Sequence, residues 1–113
     1  MSDNCLFCRI VRGEIPSTKV GESDGAVAFR DVNPQAPTHV LVVPRVHVAS
    51  LSAAADSAML GEVLSFAASV ARSEGLDADG YRVVINNGKN AGQAVDHLHL
   101  HVLGGRKLSW PPE

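Results

Sequence analysis

Residues 97–101 alternate imidazole with aliphatic carbon, His97-Leu98-His99-Leu100-His101, and Val102 continues the pattern. Successive side chains of an extended strand point to opposite faces, so this spacing predicts a strand with three imidazoles on one side and Leu98, Leu100 and Val102 on the other. On a helix, steps of about 100° would scatter the rings around the circumference. One side suits burial and the other chemistry. Imidazole exchanges protons near neutral pH, acts as a nucleophile, carries a phosphoryl group as an intermediate and ligates metals. A purely structural role would oblige each buried ring to find partners for both nitrogens.

Two other groups of residues invite chemistry. Cys5 and Cys8 are the only cysteines, in the spacing Cys-x-x-Cys. In a reducing compartment that spacing signals redox or metal chemistry rather than a structural disulfide. Thioredoxin-like catalysis wants the motif between a strand and a helix, and here no strand precedes it, which counts against a redox enzyme. The loop Asn86-Asn87-Gly88-Lys89-Asn90-Ala91-Gly92-Gln93-Ala94 runs directly into the histidines. Glycines let a backbone approach a ligand and turn N–H groups toward an anion, so beside imidazoles the loop reads as a phosphate cradle. Standing alone it would read as an ordinary hairpin.

The elements that must position these groups follow from periodicity. Leu6, Phe7, Ile10 and Val11 predict a short helix over 4–12, with Asn4 as N-cap and Gly13 as stop. Strands are expected at 19–22 and 26–32 around the turn Ser23-Asp24-Gly25, and a loop at 33–37 with Pro34 and Pro37. Residues 38–44 are almost continuously apolar, as in a strand buried on both faces. Apolar positions at i+3 and i+4 predict one long helix over 55–73, then a strand at 81–86, the loop, and the histidine strand at 96–103. The order, helix, three strands, long helix, two strands, is that of an α+β fold with a mainly antiparallel sheet.

A chain of 113 residues with 45% hydrophobic content fits a single domain spanning 1–113 with a real core. The formal charge of -2, with Lys and Arg scattered, excludes a basic stripe for a polynucleotide. No run approaches a membrane span, and Met1-Ser2-Asp3-Asn4 lacks the basic and apolar regions of a signal peptide, so a cytoplasmic protein is expected.

The histidine run, preceded by Gly92-Gln93 and followed by Gly104-Gly105-Arg106, resembles the signature of the histidine-triad (HIT) superfamily, His-x-His-x-His with apolar x. Phe7-Cys8-Arg9-Ile10-Val11-Arg12-Gly13-Glu14-Ile15-Pro16, Pro34-Gln35-Ala36-Pro37-Thr38-His39 and Trp110-Pro111-Pro112 are similar to the Hint branch in particular. The resemblance implies a five-stranded HIT fold whose sheet extends across a homodimer. It also implies hydrolysis of purine nucleoside phosphoramidates, with AMP, GMP and their phosphoramidates or acyl adenylates as ligands and no catalytic cofactor. Carried over by position, His99 is the nucleophile that becomes nucleotidylated, His101 contacts phosphate oxygens, and His97 completes the triad. Gly92 and Gln93 belong to the phosphate loop, Asn86 lies near ribose and phosphate, and Asp31 accepts the ribose hydroxyls. Phe7, Ile10, Phe29 and Val32 wall the base pocket. Ala94 departs from the family's Ser or Thr, removing a hydroxyl able to bond phosphate or leaving group. His39 is expected to be structural.

Some members bind zinc, and the resemblance implies a structural zinc held by Cys5, Cys8, His47 and His97. Two thiolates and two imidazoles make a closed tetrahedral set. Competing readings are another HIT-type dinucleotide or nucleotidyl hydrolase, a catalytic zinc hydrolase, which requires an open coordination position, and a nucleotide- or partner-binding module with incidental catalysis. The long helix carries Ala55, Met59, Leu60, Val63, Phe66, Ala67 and Val70, more apolar surface than one small sheet covers, which predicts a two-fold partner. The resemblance adds that Trp110 reaches toward the partner's active site.

Overall fold

The computed structural model describes residues 4–112; the Met1-Ser2-Asp3 start read above lies outside them. The elements are α1 (Leu6–Val11), β1 (Lys19–Glu22), β2 (Ala26–Arg30), β3 (Thr38–Pro44), α2 (Ser57–Ser73), β4 (Tyr81–Val84), a 3₁₀ turn (Lys89–Ala91) and β5 (Leu100–Gly104). The five strands form one sheet in the order β1-β2-β3-β5-β4, every neighbouring pair antiparallel. The α+β expectation holds in both element order and sheet type.

Even-numbered residues of β2, β3 and β5 face α2. Ala26, Ala28, Val40, Val42, Leu100 and Val102 meet Val63, Ala67, Val70 and Ala71 in one buried cluster, which Leu98 joins. The alanines of β2 keep that face flat enough for a helix to lie on it. Leu100 is 2% exposed, so truncation to Ala would cost about 2–5 kcal/mol. Odd-numbered Val27, Phe29, Leu41 and Val43 face the other way and are covered by Phe7 of α1. β3 is therefore buried on both faces, as its unbroken apolar run predicts.

The ends of the elements differ from expectation for local reasons. Cys5, not Asn4, caps α1, because its Sγ accepts the Cys8 N–H at 3.4 Å as a Ser hydroxyl would. Asp56 caps α2 by accepting the Met59 N–H, so that helix starts at Ser57 rather than Ala55. β2 stops at Arg30, and the Asp31 carboxylate turns the chain by accepting the Asn33 N–H at 2.8 Å. The histidine strand is paired only from Leu100, opposite Val42. Beyond that point Pro44 has no N–H to offer, and the Leu98 N–H bonds instead to the Val48 carbonyl at 2.7 Å. β4 accordingly ends at Val84 opposite His101, not at Asn86. On α2, Val63, Ala67 and Val70 are buried against the chain's own sheet rather than offered to a partner, while Leu64 is 52% exposed.

Candidate active site and metal centre

The histidines lie on the face that α1 covers, and hydrogen bonds fix their tautomers. His99 is buried, with Nδ1 2.7 Å from the His97 carbonyl oxygen. Nδ1–H donates there, which leaves the lone pair on Nε2. Phe7 stands edge-on to the His99 ring at 5.0 Å and limits its tilt. His101 lies 5.1 Å away, ring centre to ring centre.

His101 is held by His39, whose Nε2 lies 2.9 Å from its Nδ1. His39 Nδ1 in turn accepts the Gln35 N–H at 3.0 Å. A backbone N–H only donates, so the neutral His39 carries its proton on Nε2 and donates it to His101 Nδ1. The proton of His101 is therefore on Nε2. One amide sets two rings. Burial holds His39 below the usual imidazole value, opposed by the Asp31 carboxylate 3.4 Å from its Nε2. Burial, reinforced by His99 and His39 and opposed by Asp31, takes His101 down to about 4. Both rings are neutral at pH 7.

His99 and His101 line a cavity of about 700 Å³ whose walls are mainly aliphatic and aromatic. Phe7, Ile10, Phe29, Asp31 and Val32, all expected at the site, line it too, although Val32 is fully exposed at its edge. Asn86 lines a separate cavity of about 490 Å³ together with Gln35, His39 and Arg82, and His101 is common to both. Gly92 and Gln93 shape the loop rather than offer their N–H groups, which donate to the Lys89 and Gly88 carbonyls at 3.1 Å each. The Gln93 amide bonds Gly88 N–H and the carbonyls of Ala49 and Val95. Gly88 and Gly92 do take positive φ, as the glycines suggest. Ala94 and Val95 reach the cavity wall. Trp110 is 79% exposed beneath the Arg82 guanidinium and lines neither cavity.

Sequence reasoning passed over His39 as a site residue. It shares strand parity with Leu41, which is paired with His101, and that parity was the available signal. Leu41, Ser17 and Thr18 also line the cavity wall, without any motif to mark them.

The second constellation assembles beside the first. Donor atoms of Cys5, Cys8, His47 and His97 all lie within 4.8 Å of one another. His97 Nδ1 is 3.4 Å from both sulfurs, and His47 Nδ1 is 3.3 Å from Cys8 Sγ. Zinc bonds of about 2.3 Å to sulfur and 2.0–2.1 Å to nitrogen place tetrahedral S and N ligands about 3.6 Å apart, so the residues fit a four-coordinate ion. The His97 Nε2–H donates to the Pro44 carbonyl at 2.9 Å, which keeps Nδ1 free to ligate. Burial also holds His97 below the usual imidazole value, favouring the neutral ring a metal needs. His97, expected in both the catalytic and the metal set, thus has both nitrogens directed elsewhere and meets His99 through its carbonyl.

Comparison with known proteins places the chain in a family. The HIT domain family matches residues 12–108. Purine nucleoside phosphoramidase of Escherichia coli K12 is 42% identical over 110 residues, 96% of this chain and 92% of its own. The 14 kDa zinc-binding protein of Zea mays is 50% identical over 111 residues, 95% of this chain and 86% of its own. The crystal structure of a HIT family hydrolase from Legionella pneumophila Philadelphia 1 superposes with a TM-score of 0.94 at 49% identity, covering 97% of this chain and all of that one. With its alternating imidazoles, its sheet order and these matches, the chain belongs to the HIT domain family.

Proposed function

We propose that the chain hydrolyses the P–N bond of purine nucleoside 5′-phosphoramidates through a nucleotidylated His99. The observation that carries this is the His99 ring, whose proton is held on Nδ1 by the His97 carbonyl at 2.7 Å. The Nε2 lone pair is then the group available to a cavity of nucleotide size. Apolar walls accept the base, and Asp31 accepts ribose hydroxyls. His99 Nε2 attacks the α-phosphorus, the P–N bond breaks, and the amine leaves with a proton taken from solvent. Water then attacks the phosphorus of the nucleotidyl-histidine, breaking the P–Nε2 bond, releasing AMP and free His99 and giving one proton back to solvent. The His101 Nε2–H donates to a phosphoryl oxygen and stabilises the charge that builds there. Covalent catalysis divides one displacement at an anionic centre into two. The activity named for the Escherichia coli relative supports the substrate class.

Zinc is proposed as a structural ion on Cys5, Cys8, His47 and His97; four protein donors fill a tetrahedral set and leave no position for water. It ties α1 to the segment carrying His97. Two thiols without a disulfide suit a reducing compartment such as the cytoplasm. A homodimer is proposed from the exposed Leu64, the half-buried Met59, Leu60 and Phe66 of α2, and the open edge of β4. Ala94 on the cavity wall favours a second reading, a nucleotide-binding module with slow catalysis.

The test is His99→Asn. Turnover of an adenosine 5′-phosphoramidate should fall by about a thousandfold or more, with AMP affinity kept within about tenfold. Mass analysis of quenched wild-type protein should find a nucleotide on His99. Near-normal turnover in the variant would end the covalent reading.

A further inference from the structure

We infer that Cys5 and Cys8 form a peroxide-responsive thiol pair whose oxidation to a disulfide disorganises the nucleophile His99; its effect on turnover rests on the hydrolase reading above. Three observations carry this. The first is the pair itself. Cys5 caps α1 and Cys8 lies one turn on, with its N–H directed at Cys5 Sγ and the two sulfurs within one 4.8 Å donor cluster. The second is access. Cys5 is half-buried and lines a cleft with Asn4, His47 and Asp96, whereas Cys8 is buried beneath it. Ala94 and Val95 line both this cleft and the nucleotide cavity.

The third is coupling. His97 Nδ1 sits 3.4 Å from each sulfur, and the carbonyl of the same residue holds His99 Nδ1–H. Phe7 lies in the chain between the two cysteines, and its ring packs edge-on against His97 at 6.0 Å and His99 at 5.0 Å. Two of the contacts that position the nucleophile, the His97 ring and the Phe7 ring, therefore connect to the cysteine turn.

The chemistry is a two-electron oxidation of the thiols by a peroxide, which is reduced to water. Cys5 is attacked first, forming a sulfenic acid and one water. The Cys8 sulfur then attacks the Cys5 sulfur, closing the disulfide and releasing a second water. The bond draws the sulfurs to about 2.05 Å and removes both as partners for His47 and His97. A displacement near 1 Å at a reacting centre costs up to about a hundredfold in rate, so oxidised protein should turn over at least about tenfold more slowly.

The test treats zinc-loaded protein with a small excess of hydrogen peroxide. Free thiols, intact mass, zinc released to a chromogenic chelator, His99 ring resonances and phosphoramidate turnover are followed together. The expected result is loss of both thiols and two hydrogens, release of zinc, a shift of the His99 resonances and slowed turnover, all reversed by dithiothreitol and zinc. Cys5→Ser, measured against its own untreated baseline, should show none of these changes. The inference is overturned if the disulfide forms while the His99 resonances and turnover stay unchanged, if peroxide yields sulfinic acid without a disulfide, or if Cys5→Ser is inactivated like wild type. Should the reduced protein fail to turn over the phosphoramidate at all, the hydrolase reading falls, and the His99 resonances alone decide the coupling.

Discussion

Replacing His39 by Phe isolates the chain of hydrogen bonds that sets the active-site tautomers. The side chain is 3% exposed and of similar shape to Phe, so packing is largely kept. Two bonds disappear: the Gln35 N–H loses its acceptor at 3.0 Å and His101 Nδ1 loses its donor at 2.9 Å. Each partly buried orphan costs about 1–2 kcal/mol, for a total loss of about 2–4 kcal/mol in unfolding free energy. The catalytic effect has a different origin. Without His39 the His101 proton divides between its two nitrogens, so the Nε2–H donor is present only part of the time and its ring is free to turn. Losing one aligned donor to a developing oxyanion costs about 10- to 100-fold in kcat/KM, with AMP affinity changed by less than about threefold. His39→Gln provides the control. Its amide N–H₂ reaches the position of the lost Nε2–H, so it should recover most of the turnover but not the Gln35 bond or all of the stability. Steady-state kinetics and urea unfolding of the three proteins separate the two effects. Turnover of the Phe variant within about twofold of wild type, with stability lowered, would show that His39 only packs and would refute the tautomer argument.

Because the folded-state value of His101 is depressed from 6.5 to about 4, its contribution to stability is complete above pH 6.5 and is lost as pH falls toward 4. That contribution is up to about 3 kcal/mol; urea titrations of metal-free wild type and His101→Asn between pH 7.5 and 4.5 should therefore diverge in slope, and parallel curves would contradict the burial argument. Chelating the metal, or changing Cys8 to Ser, should lower the melting temperature by about 10 °C or more relative to protein in hundredfold excess of zinc over Kd, and an unchanged melt would argue against a bound ion. Ala94→Ser places a hydroxyl on the exposed cavity wall, and kcat/KM should rise by up to about tenfold; no rise would show that the missing hydroxyl is not rate-limiting. Leu64→Glu adds a charge to each side of the proposed two-fold interface, so sedimentation should find dimer for wild type and monomer for the variant, and a wild type that is already monomeric removes the basis for that expectation.

Periodicity carried most of the fold. The i+3, i+4 pattern on α2 and the unbroken apolar run of β3 have no competing reading; β3 formed at its expected bounds and α2 two residues short at its start. The histidine parity was equally legible, since alternation alone separates the imidazoles from Leu98, Leu100 and Val102. What was not legible depended on pairing across the sheet. His39 is one histidine at the start of a strand until β3 and β5 come into register, and only then does it meet His101. The early end of β4 has the same cause, since its ladder runs out where β5 turns away. Gly92 and Gln93 lie in a loop, as expected, but which carbonyls take their N–H groups is settled by the 3₁₀ turn and not by composition.

The stretch from His97 to His101 occupies five consecutive positions, and Val42 and Leu41 opposite Leu100 and His101 lock its phase. Its tolerance to change is therefore divided by kind. Residue types at Leu98, Leu100 and Val102 can drift among aliphatics, as in any core. Length cannot change between His99 and Leu100, because inserting or deleting one residue there would send His97 and His99 to the side of α2, while His101, opposite Leu41, keeps its place. A lineage carrying this segment can alter its chemistry by substitution but loses the proposed metal ligand His97 and the proposed nucleophile His99 together by a single-codon insertion at that point.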